Sequence, residues 1–129
     1  MNITTFSEPK TENAVTIVVT EAIDDDLCIG GLEAEKLYQL IFPLVKEGKN
    51  VILDFQNIEE SVPAFMDLAI GELYEHFPAE QIEKSLSFIN TDEDIAFDIE
   101  TVVKWTKEYL KDPVRYNNAA REALGGAYE

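Results

Sequence analysis

Two carboxylates and one hydroxyl that could do chemistry lie in a single stretch, VILDFQNIEESVPAFMDLAIGELY, which covers residues 51–74. Asp54, Ser61 and Asp67 are side chains of the types that acid–base or covalent catalysis uses. His76 is the only histidine, and no Ser-His-Asp set can be assembled around it. A small enzyme that uses these three residues is therefore one hypothesis, and it predicts a pocket in which the carboxylates converge.

Other reactive or ion-binding side chains favour structural interpretations. Three consecutive acids, residues 24–26, lack the alternating spacing of a cation-binding loop, so we interpret them as a solvated acidic turn. Gly30 and Gly31 precede a helical pattern without a phosphate-binding motif, which favours a tight turn. The single Cys28 cannot form an internal disulfide and fits a reducing compartment. We expect neither a metal nor a cofactor.

The acidic composition limits the classes of partner. Twenty-six acidic and ten basic residues give a formal charge of −16 over 129 residues. Such a surface repels nucleic-acid backbones and anionic membranes, and it suits a basic protein partner. An acidic mimic of nucleic acid is a further alternative, for which the sequence shows no phosphate-like spacing. We find no signal peptide and no apolar run long enough to span a membrane, and so expect a cytoplasmic protein.

Alternating strand and helix patterns predict one α/β domain over residues 1–129. The expected strands are NITTF, AVTIVVTEAI (Ala14–Ile23), NVILDF and SLSFIN, and the expected helices cover residues 32–47, 63–77, 91–112 and 113–124. Residues 112–129 would form a C-terminal helical extension. The resulting order, β-β-α-β-α-β-α-α, predicts a mostly parallel four-stranded sheet whose first two strands form an antiparallel pair.

Local signals predict how the elements begin and end. Gly48 is a natural stop for the first helix, and Pro63 suits the first turn of the second. Ser61 is expected to cap that second helix, and Thr91 the helix that follows SLSFIN. Gly71 is expected to permit close packing of a helix on the sheet.

The stretch VILDFQNIEESVPAF resembles the central segment of STAS domains, the fold of bacterial anti-sigma factor antagonists. Phe65, Asp67 and Gly71 follow the spacing of the STAS-like family of uncharacterised function. LCIGGLEAEKLYQLI and KEGKNVILDF also resemble that family, and the resemblance covers roughly residues 16–110.

The resemblance implies a non-enzymatic protein–protein interaction module in bacterial regulation. Its expected partner is a histidine-kinase-like ATPase domain, which in antagonists phosphorylates a serine at the loop–helix junction and thereby breaks the complex.

The paired serines of antagonists would fall at Pro63 and Ala64, so the usual phosphorylation switch is absent here. Ser61, two residues earlier, is the candidate phosphorylation site.

The predicted partner-binding residues are Ser61, Val62, Pro63, Ala64, Met66 and Asp67, with Gly30 and Gly31 as secondary candidates. Phe65 is expected to anchor the helix in the core, whereas Trp105 and Tyr109 fit an exposed anchor and core packing equally well.

Overall fold

The structure, a computed structural model, describes residues 6–9 and 13–111. Its strands are β1 (Val15–Val18), β2 (Leu27–Cys28), β3 (Val51–Asp54), β4 (Glu60–Ser61) and β5 (Leu86–Ile89). Its α-helices are α1 (Val19–Ile23), α2 (Gly31–Lys46), α3 (Pro63–Ala69), α4 (Ala79–Ser85) and α5 (Glu93–Lys111), and a 3₁₀ helix covers Gly71–Glu75. None of the helices in the described part of the chain is long and apolar enough to cross a membrane.

The strands form two parallel sheets instead of the predicted single sheet of four strands. The larger sheet has the order β1-β3-β5, and the smaller one pairs β2 with β4. All four residues of β3 are buried, as expected for a central strand that is covered on both faces. The two short strands arise where the segments after α1 and after β3 run side by side, and Glu59 N–H donates to the Asp26 carbonyl at 2.8 Å beside them. The α/β class is confirmed, and the strand count was wrong.

The predicted strand Ala14–Ile23 ends early and becomes a helix. Its extended part stops at Val18, and α1 then buries Val19 and Ile23, which lie one helical turn apart. Asp24 closes the helix in the left-handed conformation, with φ of 54°. The β-branched residues favour a strand locally, but packing against α2 overrides that preference. The expected antiparallel partner NITTF lies, apart from Phe6, outside the described residues.

Helix α2 matches its prediction, residues 32–47, to within one residue at each end. It continues through Pro43 to Lys46, and Gly48 follows in the left-handed conformation with φ of 74°. The amide of Gly48 donates to the Val45 carbonyl, and the amide of Lys49 donates to the Leu44 carbonyl. The expected glycine stop is confirmed.

The predicted second helix, residues 63–77, breaks into two pieces. Helix α3 ends at Ala69, Ile70 leaves helical geometry with φ of −121°, and the 3₁₀ helix follows. Pro78 then precedes α4, a short helix that the sequence pattern did not indicate. Because α3 is only two turns long, its C-terminal end and the 3₁₀ helix can both pack against α5.

Helix α5 closes the domain over α3 and the 3₁₀ helix. The cap at its start is Asp92, whose Oδ1 accepts from the Ile95 amide at 2.8 Å, so the prediction of Thr91 as the cap was wrong. Its inner face buries Ile95, Ile99, Val102 and, unexpectedly, Asp98. The predicted helix at residues 113–124 lies outside the described residues.

Candidate functional site

The junction between β4 and α3 forms because a proline follows an extended residue. Val62 is extended, with φ of −129° and ψ of 150°, as the residue before a proline prefers. Its amide donates to the Cys28 carbonyl at 3.1 Å, which ties the junction to β2. Pro63 then occupies the first turn of α3, where no amide hydrogen is needed, as predicted.

Ser61 does not cap α3. Its Oγ donates to Asp98 Oδ2 on α5 at 2.6 Å, and the helix start has no side-chain cap. Asp98 is only 8% exposed, so this bond supplies a hydrogen-bond donor to a carboxylate that water scarcely reaches. The prediction of Ser61 as a cap was wrong, because the side chain joins β4 to a distant helix instead of serving its own. A phosphate on this hydroxyl would lie against the Asp98 carboxylate and repel it.

A groove opens beside this junction, between α3 and the 3₁₀ helix on one side and α5 on the other. Its volume is about 450 Å³. Its lining combines apolar, aromatic and acidic side chains, and we call it the α3–α5 groove. The lining residues are Pro63, Ala64, Asp67, Gly71, Glu72, Glu75, Val102, Trp105, Thr106 and Tyr109.

Gly71 sets how closely the two sides of the α3–α5 groove approach. A β-carbon at this position would lie 2.6 Å from Asp67 Oδ1, 3.0 Å from Val102 Cγ1 and 3.2 Å from Thr106 Oγ1. The glycine therefore permits close packing of helix on helix, not of helix on sheet as predicted. A carboxylate oxygen from α3 and a hydroxyl oxygen from α5 flank the same small space.

The α3–α5 groove concentrates negative charge. Asp67, Glu72 and Glu75 line it, and no lysine or arginine among residues 6–9 and 13–111 forms an ion pair with any of them. Partial burial, and secondarily the charge of Glu75, raise the pKa of Asp67 above its ordinary value. Burial, followed by the charges of Glu72 and Glu75, also raises the pKa of Tyr38 on α2. This face of the domain therefore carries a cluster of negative charges without an ion-paired lysine or arginine among the described residues.

The structure brings part of the predicted docking set together. Pro63, Ala64 and Asp67 line the α3–α5 groove. Val62 is partly buried against the core. Met66 is fully buried, so its side chain packs inside the domain and must be removed from the predicted surface. Phe65 is 1% exposed and anchors α3 in the core, as predicted.

Gly30 and Gly31 lie at the start of α2. Gly30 is the N-terminal cap residue of α2, so the start of this helix has no side-chain cap. The nearest atom that a β-carbon at Gly31 would meet is Leu68 Cδ1 of α3, at 3.9 Å. Neither glycine lines the α3–α5 groove. They therefore remain secondary candidates near Leu68 of α3, outside the lining of the α3–α5 groove.

The residues of the enzyme hypothesis lie in separate environments. Asp54 Oδ1 accepts from the Gln56 amide at 2.9 Å and from Asn90 Nδ2 at 2.8 Å, which orders the end of β3. Ser61 bonds Asp98, and neither Asp54 nor Ser61 lines the α3–α5 groove with Asp67. These three groups therefore do not share the α3–α5 groove.

The remaining reactive side chains fit structural roles. The acidic turn at residues 24–26 is exposed, and Asp25 Oδ1 accepts from the Leu27 amide at 3.0 Å. Cys28 is fully buried, and burial, with a smaller contribution from Asp25, raises the pKa of its thiol to about 12. Among the described residues, no cluster of histidine, cysteine and carboxylate side chains is arranged to hold a metal ion.

Comparison with protein families identifies the central part of the chain. Residues 33–96 match the model of the family described as the STAS-like domain of unknown function (DUF4325). The chain contains a STAS-like domain. The matched range runs from α2 to the first turn of α5, and includes Ser61, Pro63, Ala64 and Asp67 but not Trp105. Searches of curated proteins and of solved structures found no significant match.

Sequence reasoning missed several members of the site in this STAS-like domain. Glu72 and Glu75 were not singled out, although they lie one turn apart just after Asp67. Asp98 was also missed, although it follows Ile95 by three residues and precedes Val102 by four, which places it on the inner face of α5. For Trp105 the structure favours the surface over the core, because this side chain is 49% exposed in the groove.

Proposed function

We propose that this STAS-like domain is a non-enzymatic protein–protein interaction module in bacterial regulation, and that the α3–α5 groove and the start of α3 form its docking surface. The observation that carries the proposal is the groove itself. It joins a half-exposed tryptophan and the apolar Pro63 and Ala64 to carboxylates that lack ion-pair partners within the described residues. Aromatic side chains flanked by polar groups supply much of the binding free energy at protein interfaces.

The class of partner follows from charge and from family resemblance. A groove that carries Asp67, Glu72 and Glu75 suits a partner surface with basic side chains. The resemblance to anti-sigma factor antagonists favours an ATPase domain of the histidine-kinase-like fold as that partner. In this proposal Pro63 and Ala64 replace the antagonists' serines, so docking at the helix start is not controlled by phosphate there.

An affinity capture experiment with charge-matched variants tests the proposal. Ala64→Glu places a carboxylate on the exposed surface at the start of α3, whereas Gln39→Glu adds the same charge at an exposed position of α2 outside the groove. We expect one protein from the native organism to be retained by the wild type and by Gln39→Glu, and to bind Ala64→Glu at least about tenfold more weakly in subsequent calorimetry with purified components, a loss of about 1.4 kcal/mol.

The identity and the behaviour of the captured protein decide between outcomes. A histidine-kinase-like ATPase would support the proposed class of partner. A partner that binds Ala64→Glu as tightly as the wild type would refute docking at this surface. Failure to capture any specific protein under crosslinking conditions would count against the interaction module as a whole.

A further inference from the structure

The floor of the α3–α5 groove presents hydrogen-bond acceptors. Asp67 Oδ1 and Thr106 Oγ1 flank the position where a β-carbon of Gly71 would stand. An ionised carboxylate only accepts hydrogen bonds, and a hydroxyl can do so. Glu72 and Glu75 add two further carboxylates to the lining, whereas no lysine or arginine lines it among the described residues. A ligand rich in hydrogen-bond donors is complementary to this floor.

One wall of the groove is aromatic. Trp105 is 49% exposed, and Tyr109 follows it one helical turn later on α5 and also lines the groove. The face of an indole ring carries negative electrostatic potential, so it attracts a cation placed over it. Trp105 and the carboxylates thus favour the same charge on the ligand.

The pKa of Asp67 agrees with this complementarity. Partial burial and the neighbouring Glu75 both disfavour the charged form of the Asp67 carboxylate. A cation between the carboxylates of Asp67 and Glu75 would offset their mutual repulsion. It would also stabilise the charged form of Asp67, which burial has deprived of contact with water.

The combination of an aromatic ring with carboxylates in the α3–α5 groove indicates which kind of cation fits it. A metal ion fits poorly, because the described residues contain no suitable cluster of ligands. A lysine ammonium is a compact, strongly hydrated charge, and it does not stack on an aromatic ring as a planar group does. An arginine guanidinium is planar, stacks on tryptophan and presents a fork of N–H donors to a carboxylate.

Resting on the proposed function, we propose that the α3–α5 groove receives an arginine side chain of the partner. The guanidinium stacks on Trp105 and donates hydrogen bonds to Asp67 and Thr106, while Glu75 lies on the acidic rim. This assigns the groove the role of an arginine-specific pocket within the docking surface.

Peptide titrations with the purified full chain test the arginine pocket directly. The probes are three acetylated and amidated pentapeptides, Gly-Gly-X-Gly-Gly, in which X is arginine, lysine or the uncharged isostere citrulline. Trp105 is the only tryptophan of the chain, so its fluorescence and the NMR signal of its indole N–H report on the groove alone. We expect saturable shifts with the arginine peptide, and at least about fivefold weaker binding of both other peptides.

Two variants locate the response. Asp67→Asn should weaken binding of the arginine peptide about tenfold at low salt, because a charge-assisted bond becomes a neutral one. Phe97→Ala, which truncates another exposed aromatic residue of α5 outside the groove, should leave the affinity unchanged. Circular dichroism and urea unfolding of each variant show whether it is folded.

The results separate this proposal from the proposed function. Equal binding of arginine and lysine peptides, equal binding of the citrulline peptide, or no shift of Trp105 would each overturn the arginine pocket. Any of these results together with a captured partner sensitive to Ala64→Glu would leave the interaction module standing. Binding of the arginine peptide without a captured partner would support the pocket and count against the module.

Discussion

Removing the Ser61 hydroxyl should destabilise the domain by about 2 kcal/mol. The Ser61 Oγ lies 2.6 Å from Oδ2 of Asp98, a carboxylate that is 8% exposed. Ser61→Ala removes this donor, and water has little access to replace it. Hydrogen bonds to charged groups contribute roughly 1.5–3 kcal/mol, which sets the expected loss.

A second serine provides the matched control. The Oγ of Ser87 lies 3.5 Å from the Val51 carbonyl, the outer limit for a hydrogen bond, and this acceptor is neutral. Ser87→Ala removes the same atom from a site that is 4% exposed. We expect it to cost less than about 1 kcal/mol.

Urea unfolding measures both changes. With an m value of about 2 kcal/mol per molar urea, the Ser61→Ala midpoint should fall by about 1 M and the Ser87→Ala midpoint by less than half of that. The m value should not change, since the bond does not alter how much surface unfolding exposes. A Ser61→Ala/Asp98→Ala double-mutant cycle should show a coupling free energy of at least about 1 kcal/mol.

Two results would refute the reasoning. If Ser61→Ala lowers the free energy of unfolding no more than Ser87→Ala does, other groups or water stabilise the Asp98 carboxylate, and its bond to Ser61 contributes little. If the double-mutant cycle is additive within about 0.5 kcal/mol, the two side chains do not interact in solution. Ser61→Glu should be more destabilising than Ser61→Ala, because it places a second carboxylate against Asp98.

Two further predictions concern titratable side chains. The raised pKa of Asp67 means that ionisation is less favourable in the folded than in the unfolded state. Asp67→Asn should therefore raise the free energy of unfolding at pH 7. This gain should vanish as the pH falls below about 3.9, the ordinary aspartate pKa. Equal effects of the substitution at pH 7 and pH 3 in urea unfolding would contradict this prediction. The buried Cys28 thiol has its pKa raised to about 12, so it should resist an aromatic disulfide reagent at pH 8 until urea unfolds the chain, and rapid labelling without denaturant would show that its burial is wrong.

Features encoded by neighbouring residues could be predicted from the sequence. Strand β3, with three apolar residues followed by Asp54, forms where the sequence pattern predicted it. Pro63 begins α3 and Gly48 follows α2, as expected from the backbone preferences of proline and glycine. The STAS-like resemblance added the family, which the match over residues 33–96 bears out.

Features that depend on distant residues could not be predicted in this way. Ser61 bonds a side chain 37 positions away, and a single sequence gives no signal for that partner. The break of α3 at Ile70 serves the packing of Gly71 against α5, and nothing near Ile70 in the chain indicates where α5 will lie. Val19, Thr20 and Ile23 are β-branched and favour a strand, yet residues 19–23 become helical because of what they pack against.

The parallel pairing of the strands also determines how the domain must fold. Val15 pairs with Val51 and Val51 with Leu86, so each ladder of the larger sheet closes a long segment of chain. No tight hairpin within the described residues can form early and template the sheet, and the entropy of loop closure is lost before the pairing is gained. Among the described strands, β1 gains its partner during synthesis only when β3 has emerged, and β3 is then the strand on which β5 is added. We expect the domain to fold more slowly than a helical bundle of its size, with the docking of β3 against β1 as the step that commits the chain.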